Sequence, residues 1–154
     1  MNIETYTKEA FAVIGKAGST EDGPGFVQAL WADANSHFAE VAPLAKKDAQ
    51  GNLVGIWGAM SDHSLSFRPW EDNFGRGLYL AGVECDAGAE PPALWTKWTV
   101  PGFVYLKVLC DRDTLFPEML TWLEQNGLSL AGAVQDFTCP QTGQNYMLFP
   151  IQRL

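Results

Sequence analysis

Basic residues are scarce in this sequence, and they form no cluster longer than the pair Lys46–Lys47. Ten Lys and Arg stand against eighteen Asp and Glu in 154 residues, which gives a formal net charge of −8. A surface that follows phosphates needs clustered basic side chains. We therefore expect no direct contact with nucleic acid, and an acidic surface that tolerates or attracts cations.

Targeting, membrane and metal-binding features are also missing. The start of the chain lacks the basic and apolar regions of a signal peptide, and no apolar run approaches the length of a membrane span. The three cysteines (Cys85, Cys110 and Cys139) form no CxxC pair, and the two histidines are isolated. These absences predict a cytoplasmic protein with reduced thiols, no membrane contact, no metal site and no cofactor.

Strand-like and helix-like segments follow one another in an order that occurs twice. Residues 4–88 read as strand, helix, strand and strand, with the helix predicted from Phe26 to about Lys46. Residues 93–154 repeat this order, with a second helix whose apolar stripe includes Leu115 and Met119 and whose C-terminal cap is Gly127. We predict one α+β domain over residues 1–154, with a pseudo-two-fold, a mixed sheet and both helices on one face.

Alternation along the strands predicts which side chains face away from the helices. The row Leu106 and Val108 is apolar and is assigned to the helix face, as are the helical tryptophans Trp31 and Trp122. A ligand cleft is predicted on the opposite face. The residues assigned to this cleft are Trp57, Leu80, Glu84, Trp98, Tyr105, Gln135, Phe137 and Tyr146, with Trp70 in a loop that closes over it. A shift of one residue in register would move each side chain to the other face.

Six stretches together carry a family resemblance. They are EAFAVIGKAG, VGIWG, GLYLAGVEC, PPALWTKWTVPGFVYLKV, MLTWLEQNGLSL and NYMLFPI. In this order they resemble the GyrI-like effector-binding domain, the ligand-binding half of several AraC-type and MerR-type regulators. With no helix-turn-helix ahead of it, the chain is similar to stand-alone members, including integron-cassette effector-binding proteins. The resemblance implies a central cleft that binds lipophilic, often cationic drugs between aromatic rings and a buried carboxylate.

The carboxylate is where this sequence departs from the family pattern. Many members have Glu-x-Tyr on the penultimate strand, whereas the matching residues here are Gln135, Asp136 and Phe137. Two residues remain as the buried acid: Asp136, if the strand carries a bulge, or Glu84 on the corresponding strand of the other half. Lys107 lies in the row of Tyr105, and its pairing with either acid would disfavour cationic ligands.

Three functions are consistent with these observations. The first, favoured, is a small-molecule-binding protein for amphipathic aromatic, cationic compounds, with a homodimer or a separate regulator protein as further partners. The second is a hydrolase that opens cyclopropane rings of genotoxic natural products, disfavoured because the amide of Gln135 is a poor proton acceptor. The third is a protein-interaction factor of the gyrase-inhibitor type, which would use the acidic surface.

Overall fold

The computed structural model describes all residues from 1 to 154 and contains eight strands and three helices. The strands are β1 (Ile3–Lys8), β2 (Phe11–Ser19), β3 (Ile56–Ser61), β4 (Leu78–Cys85), β5 (Thr96–Val100), β6 (Phe103–Leu109), β7 (Gln135–Thr138) and β8 (Asn145–Arg153). The helices are α1 (Phe26–Ser36), the single turn α2 (Glu71–Phe74) and α3 (Leu115–Gln125). None of the helices is both long enough and apolar enough to cross a membrane.

The two long helices differ in how well the sequence predicts them. Helix α3 buries Leu115, Met119 and Leu123 at i, i+4 and i+8, and Gly127 follows it with φ of 66°, as predicted. Helix α1 ends at Ser36 instead of continuing to residue 46, and two short 3-10 turns follow it up to Leu44. Pro43 prevents a helix that continues to residue 46, because its ring has no N–H and would clash with the carbonyl of Ala39 one helical turn earlier.

All strands belong to one sheet with the order β1-β6-β8-β7-β3-β4-β2-β5. The α+β class is confirmed, but the sheet is antiparallel at every pairing instead of mixed. The reason is the position of the helical connections. Each of the two long helices, α1 and α3, joins two strands that run parallel but are not neighbours, because β4 lies between β2 and β3, and β8 lies between β6 and β7.

The two halves are interleaved at the sheet edges. Strand β1 leaves its own half and pairs with β6, while β5 pairs with β2. Six strand spacings separate β1 from β2 in the sheet, about 29 Å if the sheet were flat. Only the residues between Lys8 and Phe11 connect them, a reach of about 11 Å. The connection from Val100 to Phe103 spans an equal number of strands. The sheet must therefore curl until these connected strand ends lie close together.

The curled sheet separates three clusters of buried side chains. Two lie on the outer face, one packed under α1 around Ile14 and Val83, the other under α3 around Leu106 and Phe149. The third fills the inner face and is predominantly aromatic. Its members are Phe11, Val13, Trp57, Ala59, Phe67, Leu80, Trp98, Val100, Phe103, Tyr105 and Leu148. The predicted division of the strands into helix-side and opposite rows is therefore confirmed for β3, β4 and β6.

Two glycines allow β2 and β4 to bend around this interior. Gly15 and Gly82 lie directly opposite each other in the ladder. A Cβ at Gly15 would lie 2.3 Å from the carbonyl oxygen of Ala81, and one at Gly82 would lie 2.2 Å from that of Ile14. These distances involve backbone atoms, which cannot rotate away. The two strands therefore tolerate only glycine at this pair.

We expect Gly82→Ala to destabilise the fold by about 3 kcal/mol or more, because the added methyl group forces the two backbones apart. Gly88→Ala is the matched control, since a Cβ there meets no atom within 4 Å, and its effect should be about 1 kcal/mol or less. Urea denaturation of both variants measures the difference. Equal stabilities would show that the bend does not depend on this glycine pair.

Candidate functional site

The inner face brings most of the predicted site residues together but leaves no open cleft. Trp57, Leu80, Trp98 and Tyr105 are buried in one cluster, and Phe137 and Tyr146 pack against it. Trp57 is 1% exposed and lies with its ring centroid 4.6 Å from Phe11 and 4.7 Å from Phe137. The residues assigned to a cleft on this face are buried against one another, because the curl of the sheet brings their rings together.

Glu84 lies in this interior with its charge already neutralised. Its Oε1 accepts a hydrogen bond of 3.0 Å from Trp57 Nε1, and its Oε2 forms a 3.2 Å ion pair with Lys8 Nζ. The ammonium group of Lys8 also lies 4.6 Å from the centre of the Phe11 ring. Lys8 is not among the residues predicted from the sequence. Its spacing of two residues from Tyr6 was the available signal, because this spacing places both side chains on one face of β1, where both are half-buried.

Lys107 pairs with neither Glu84 nor Asp136, the two partners considered from the sequence. Its ammonium group instead lies over three rings, at 5.2 Å from Tyr6, 5.3 Å from Phe137 and 4.5 Å from Tyr146. Two ammonium groups therefore occupy the aromatic face beside a single carboxylate. Cation–π and charge interactions that a cationic ligand would use there are already made by the protein itself.

Gln135 occupies the family's glutamate position and holds two strands together. Its Oε1 accepts a hydrogen bond from the Met60 N–H at 2.8 Å, and its Nε2 donates to the Met60 carbonyl at 3.2 Å. Strands β3 and β7 pair only up to Gly58 and Asp136, so this amide replaces the next rung of the ladder. Its side chain is fully buried and satisfied, and it is not available to a ligand.

Asp136 points to the outer face, where it borders a groove between α1 and β8. The cavity measures about 540 Å³, and its aromatic lining includes Trp31, Tyr79, Phe137 and Tyr146. No bulge interrupts β7, so ordinary alternation carries this carboxylate to the helix side. Trp31, which the sequence assigns to the core, is half-buried and lines the groove.

A short chain of hydrogen bonds orients the carboxylate. Trp31 Nε1 donates to Tyr79 Oη at 3.1 Å, and that hydroxyl donates to Asp136 Oδ2 at 3.3 Å. Gly58 makes this possible, because a Cβ there would lie 1.9 Å from the Tyr79 hydroxyl oxygen. In the sequence, only the alternation along β4, which places Tyr79 on the helix side, bears on this residue.

The charge of Asp136 has no counter-ion. None of the ion pairs in the structure includes it. Burial raises the pKa of its carboxyl group to about 6, and the hydrogen bond from Tyr79 only partly opposes this rise. Burial and the nearby Asp136 charge also raise the pKa of the Tyr79 hydroxyl, which stays protonated. The groove therefore holds an uncompensated negative charge at neutral pH.

Trp70 also lies on the outer face, away from the aromatic interior it was expected to cover. Its Nε1 donates to the Leu78 carbonyl oxygen at 3.0 Å, and its ring lies 6.4 Å from that of Phe26 on α1. It borders a second cavity of about 250 Å³ between the loop at residues 69–74 and α3. The structure therefore separates Trp70 and Asp136 from the predicted site residues of the interior, while Phe137 and Tyr146 also line the groove beside Asp136.

We expect Glu84→Gln to lower the free energy of unfolding by about 2 to 4 kcal/mol, because it leaves the ammonium group of Lys8 without its partner. Glu90→Gln, an exposed carboxylate outside every ion pair, is the control. The double variant Lys8→Met/Glu84→Gln should recover part of the loss. Strictly additive losses in this cycle would show that the two side chains do not interact.

Gln135→Leu should cost about 2 to 4 kcal/mol, because the N–H and C=O groups of Met60 lose their partners inside the protein. Gln152→Leu, near the end of β8 and exposed, is the control for the same chemical change. Thermal and urea unfolding compare the two. A loss below about 1 kcal/mol at Gln135 would mean that β3 and β7 can close the gap by themselves.

Comparisons with known proteins agree with this architecture. No protein-family model and no curated protein matches the chain in sequence. Among solved structures, SAV2435 bound to tetraphenylphosphonium matches with a TM-score of 0.66 at 14% identity, over 99% of this chain and 94% of that one. The C-terminal domain of EcmrR matches with a TM-score of 0.64 at 12% identity, over 99% and 98% of the two chains.

An integron cassette protein of Vibrio cholerae, VCH_CASS2, matches with a TM-score of 0.54 at 12% identity, over 100% of this chain and 97% of that one. At these identities the likeness concerns the fold. It extends over the whole chain. One of the matching structures is an integron cassette protein, a type that the six sequence stretches predicted. The chain has the fold of the GyrI-like effector-binding domains.

Proposed function

We propose that this protein binds small lipophilic cations in the outer groove, with Asp136 as the anionic contact. The observation that carries the proposal is the carboxylate itself. It is half-buried, has no basic partner and borders a cavity of about 540 Å³ lined by aromatic rings. A delocalised cation in such a place gains charge pairing and contact with ring faces in surroundings poor in water.

The distribution of charge favours the groove over the aromatic interior. In the interior, a ligand would have to displace Lys8 from Glu84 and would meet the ammonium group of Lys107. In the groove it would meet Asp136 alone. The desolvation that raises the pKa of Asp136 is a cost the folded protein bears without a ligand. A bound cation offsets that cost, which makes the ion pair favourable there.

One fold neighbour supports the same class of ligand. SAV2435 was solved with tetraphenylphosphonium, a cation whose charge is shielded by four aryl rings. Transferred to this chain, that complex favours lipophilic cations over neutral or anionic compounds. The hydrolase and protein-interaction alternatives stay predictions.

We expect tetraphenylphosphonium to bind the wild type and to bind Asp136→Asn at least about tenfold more weakly, since the amide carries no charge to pair with the cation. Isothermal titration calorimetry measures both affinities. Asp86→Asn removes one exposed negative charge elsewhere and should leave binding unchanged. Neutral triphenylphosphine oxide should bind both proteins equally. Equal binding of the cation by wild type and Asp136→Asn would refute the proposal.

The same substitution should stabilise the ligand-free protein. The pKa of Asp136 is higher in the folded chain, about 6, than the ordinary value of 3.8, so folding favours the protonated form. The stability of the wild type therefore falls as pH rises from about 4 to 6. At pH 7 we expect Asp136→Asn to gain about 1 to 3 kcal/mol, and the gain should vanish near pH 4. An unchanged difference between these pH values would contradict the assignment.

A further inference from the structure

The second outer cavity lies next to the groove and differs from it in chemistry. It measures about 250 Å³, and seven of its eight lining residues are hydrophobic. They include Met60, Trp70, Phe74 and Phe116, which enclose it from both the sheet and the loop side. No charged side chain lines it. It suits a hydrocarbon group and offers nothing to a charged one.

Alternation along the two central strands places the two cavities side by side on the outer face. On β3, Gly58 borders the groove and Met60 borders the apolar cavity. On the neighbouring chain segment, Asp136 borders the groove and Val134 the apolar cavity. Residues two apart on a strand lie on one face about 7 Å apart. Met147 lines both cavities, so only this flexible side chain stands between them along β8.

Fixed contacts shape the far wall of the apolar cavity. The Trp70 indole is tied to the Leu78 carbonyl and lies against Gly77, where a Cβ would be 2.0 Å from the indole Cδ1. Phe74 follows with φ of 64° and its ring 5.1 Å from that of Phe116. Asp72 and Asn73 before it also have positive φ, so this turn costs backbone energy to hold. The aromatic walls of the cavity are therefore held in place by specific contacts.

We infer that the groove and the apolar cavity together bind one two-ended molecule, a cationic head group with an unbranched or aryl hydrocarbon tail. The head lies at Asp136 and the tail passes Met147 to lie between Trp70 and Phe116. This inference rests on the proposed function for the head group. It adds the tail, and with it a preference for amphiphiles over compact cations.

The test uses alkyltrimethylammonium salts with butyl, hexyl, octyl and decyl chains, below their micelle concentrations. Affinity for the wild type should rise about threefold to fourfold per methylene until the cavity is filled, and then level off. Met60→Trp places bulk in the cavity and should end the rise at a shorter chain. Phe116→Ala enlarges the cavity and should end it at a longer chain. Circular dichroism confirms that each variant is folded.

The outcomes separate the two proposals. A rise with chain length that both variants shift, together with loss of affinity for every member in Asp136→Asn, supports the two-ended site. Affinity that depends on Asp136 but not on chain length overturns the inferred tail site and leaves the proposed function standing. A rise with chain length that neither variant shifts has the same meaning. Affinity that rises with chain length in Asp136→Asn as in the wild type overturns both, because the tail then binds without its head group.

Discussion

The curl of the sheet is the constraint on which the rest of the structure depends. Each half of the molecule lends one edge strand to the other, so connections of a few residues must cross six strand spacings. That is possible only if the open sheet curls until the ends of β1 and β6 lie beside the ends of β2 and β5. The Gly15 and Gly82 pair permits the bend, and the aromatic side chains supply the apolar area that stabilises it.

Closure of the inner face changes the role of the residues that line it. A row of aromatic side chains beside a carboxylate suggests a ligand site, and the inner face meets that description in composition. Its cations, however, are the protein's own. Lys8 neutralises Glu84, and Lys107 lies over three rings. Open volume is found on the other side of the sheet, where the helices stand apart and the carboxylate of Asp136 has no partner.

Local patterns predicted much of this molecule. Period-two alternation assigned Trp57, Leu80 and Tyr105 to one face and Leu106 and Val108 to the other, because side-chain direction depends only on adjacent residues. The end of α3 followed from Gly127 for the same reason. What sequence could not give is which face is enclosed, since that depends on pairing between β1 and β6, about 100 residues apart. The Lys8–Glu84 ion pair and the Trp31–Tyr79–Asp136 chain depend on the same long-range pairing.

The position of the acid shows how small a change of sequence separates the two faces. The family pattern places glutamate where this chain has Gln135. A carboxylate only accepts hydrogen bonds, whereas this amide both accepts from and donates to Met60, and so continues the ladder between β3 and β7. The acid next to it, Asp136, is displaced by one residue, and one residue in a strand reverses the side of the sheet. Glutamine at 135 therefore strengthens the pairing of β3 with β7, where the two halves of the chain meet. Aspartate at 136 places the negative charge in the outer groove. The inner face can then be occupied by rings and lysines, because the carboxylate without a basic partner lies outside it.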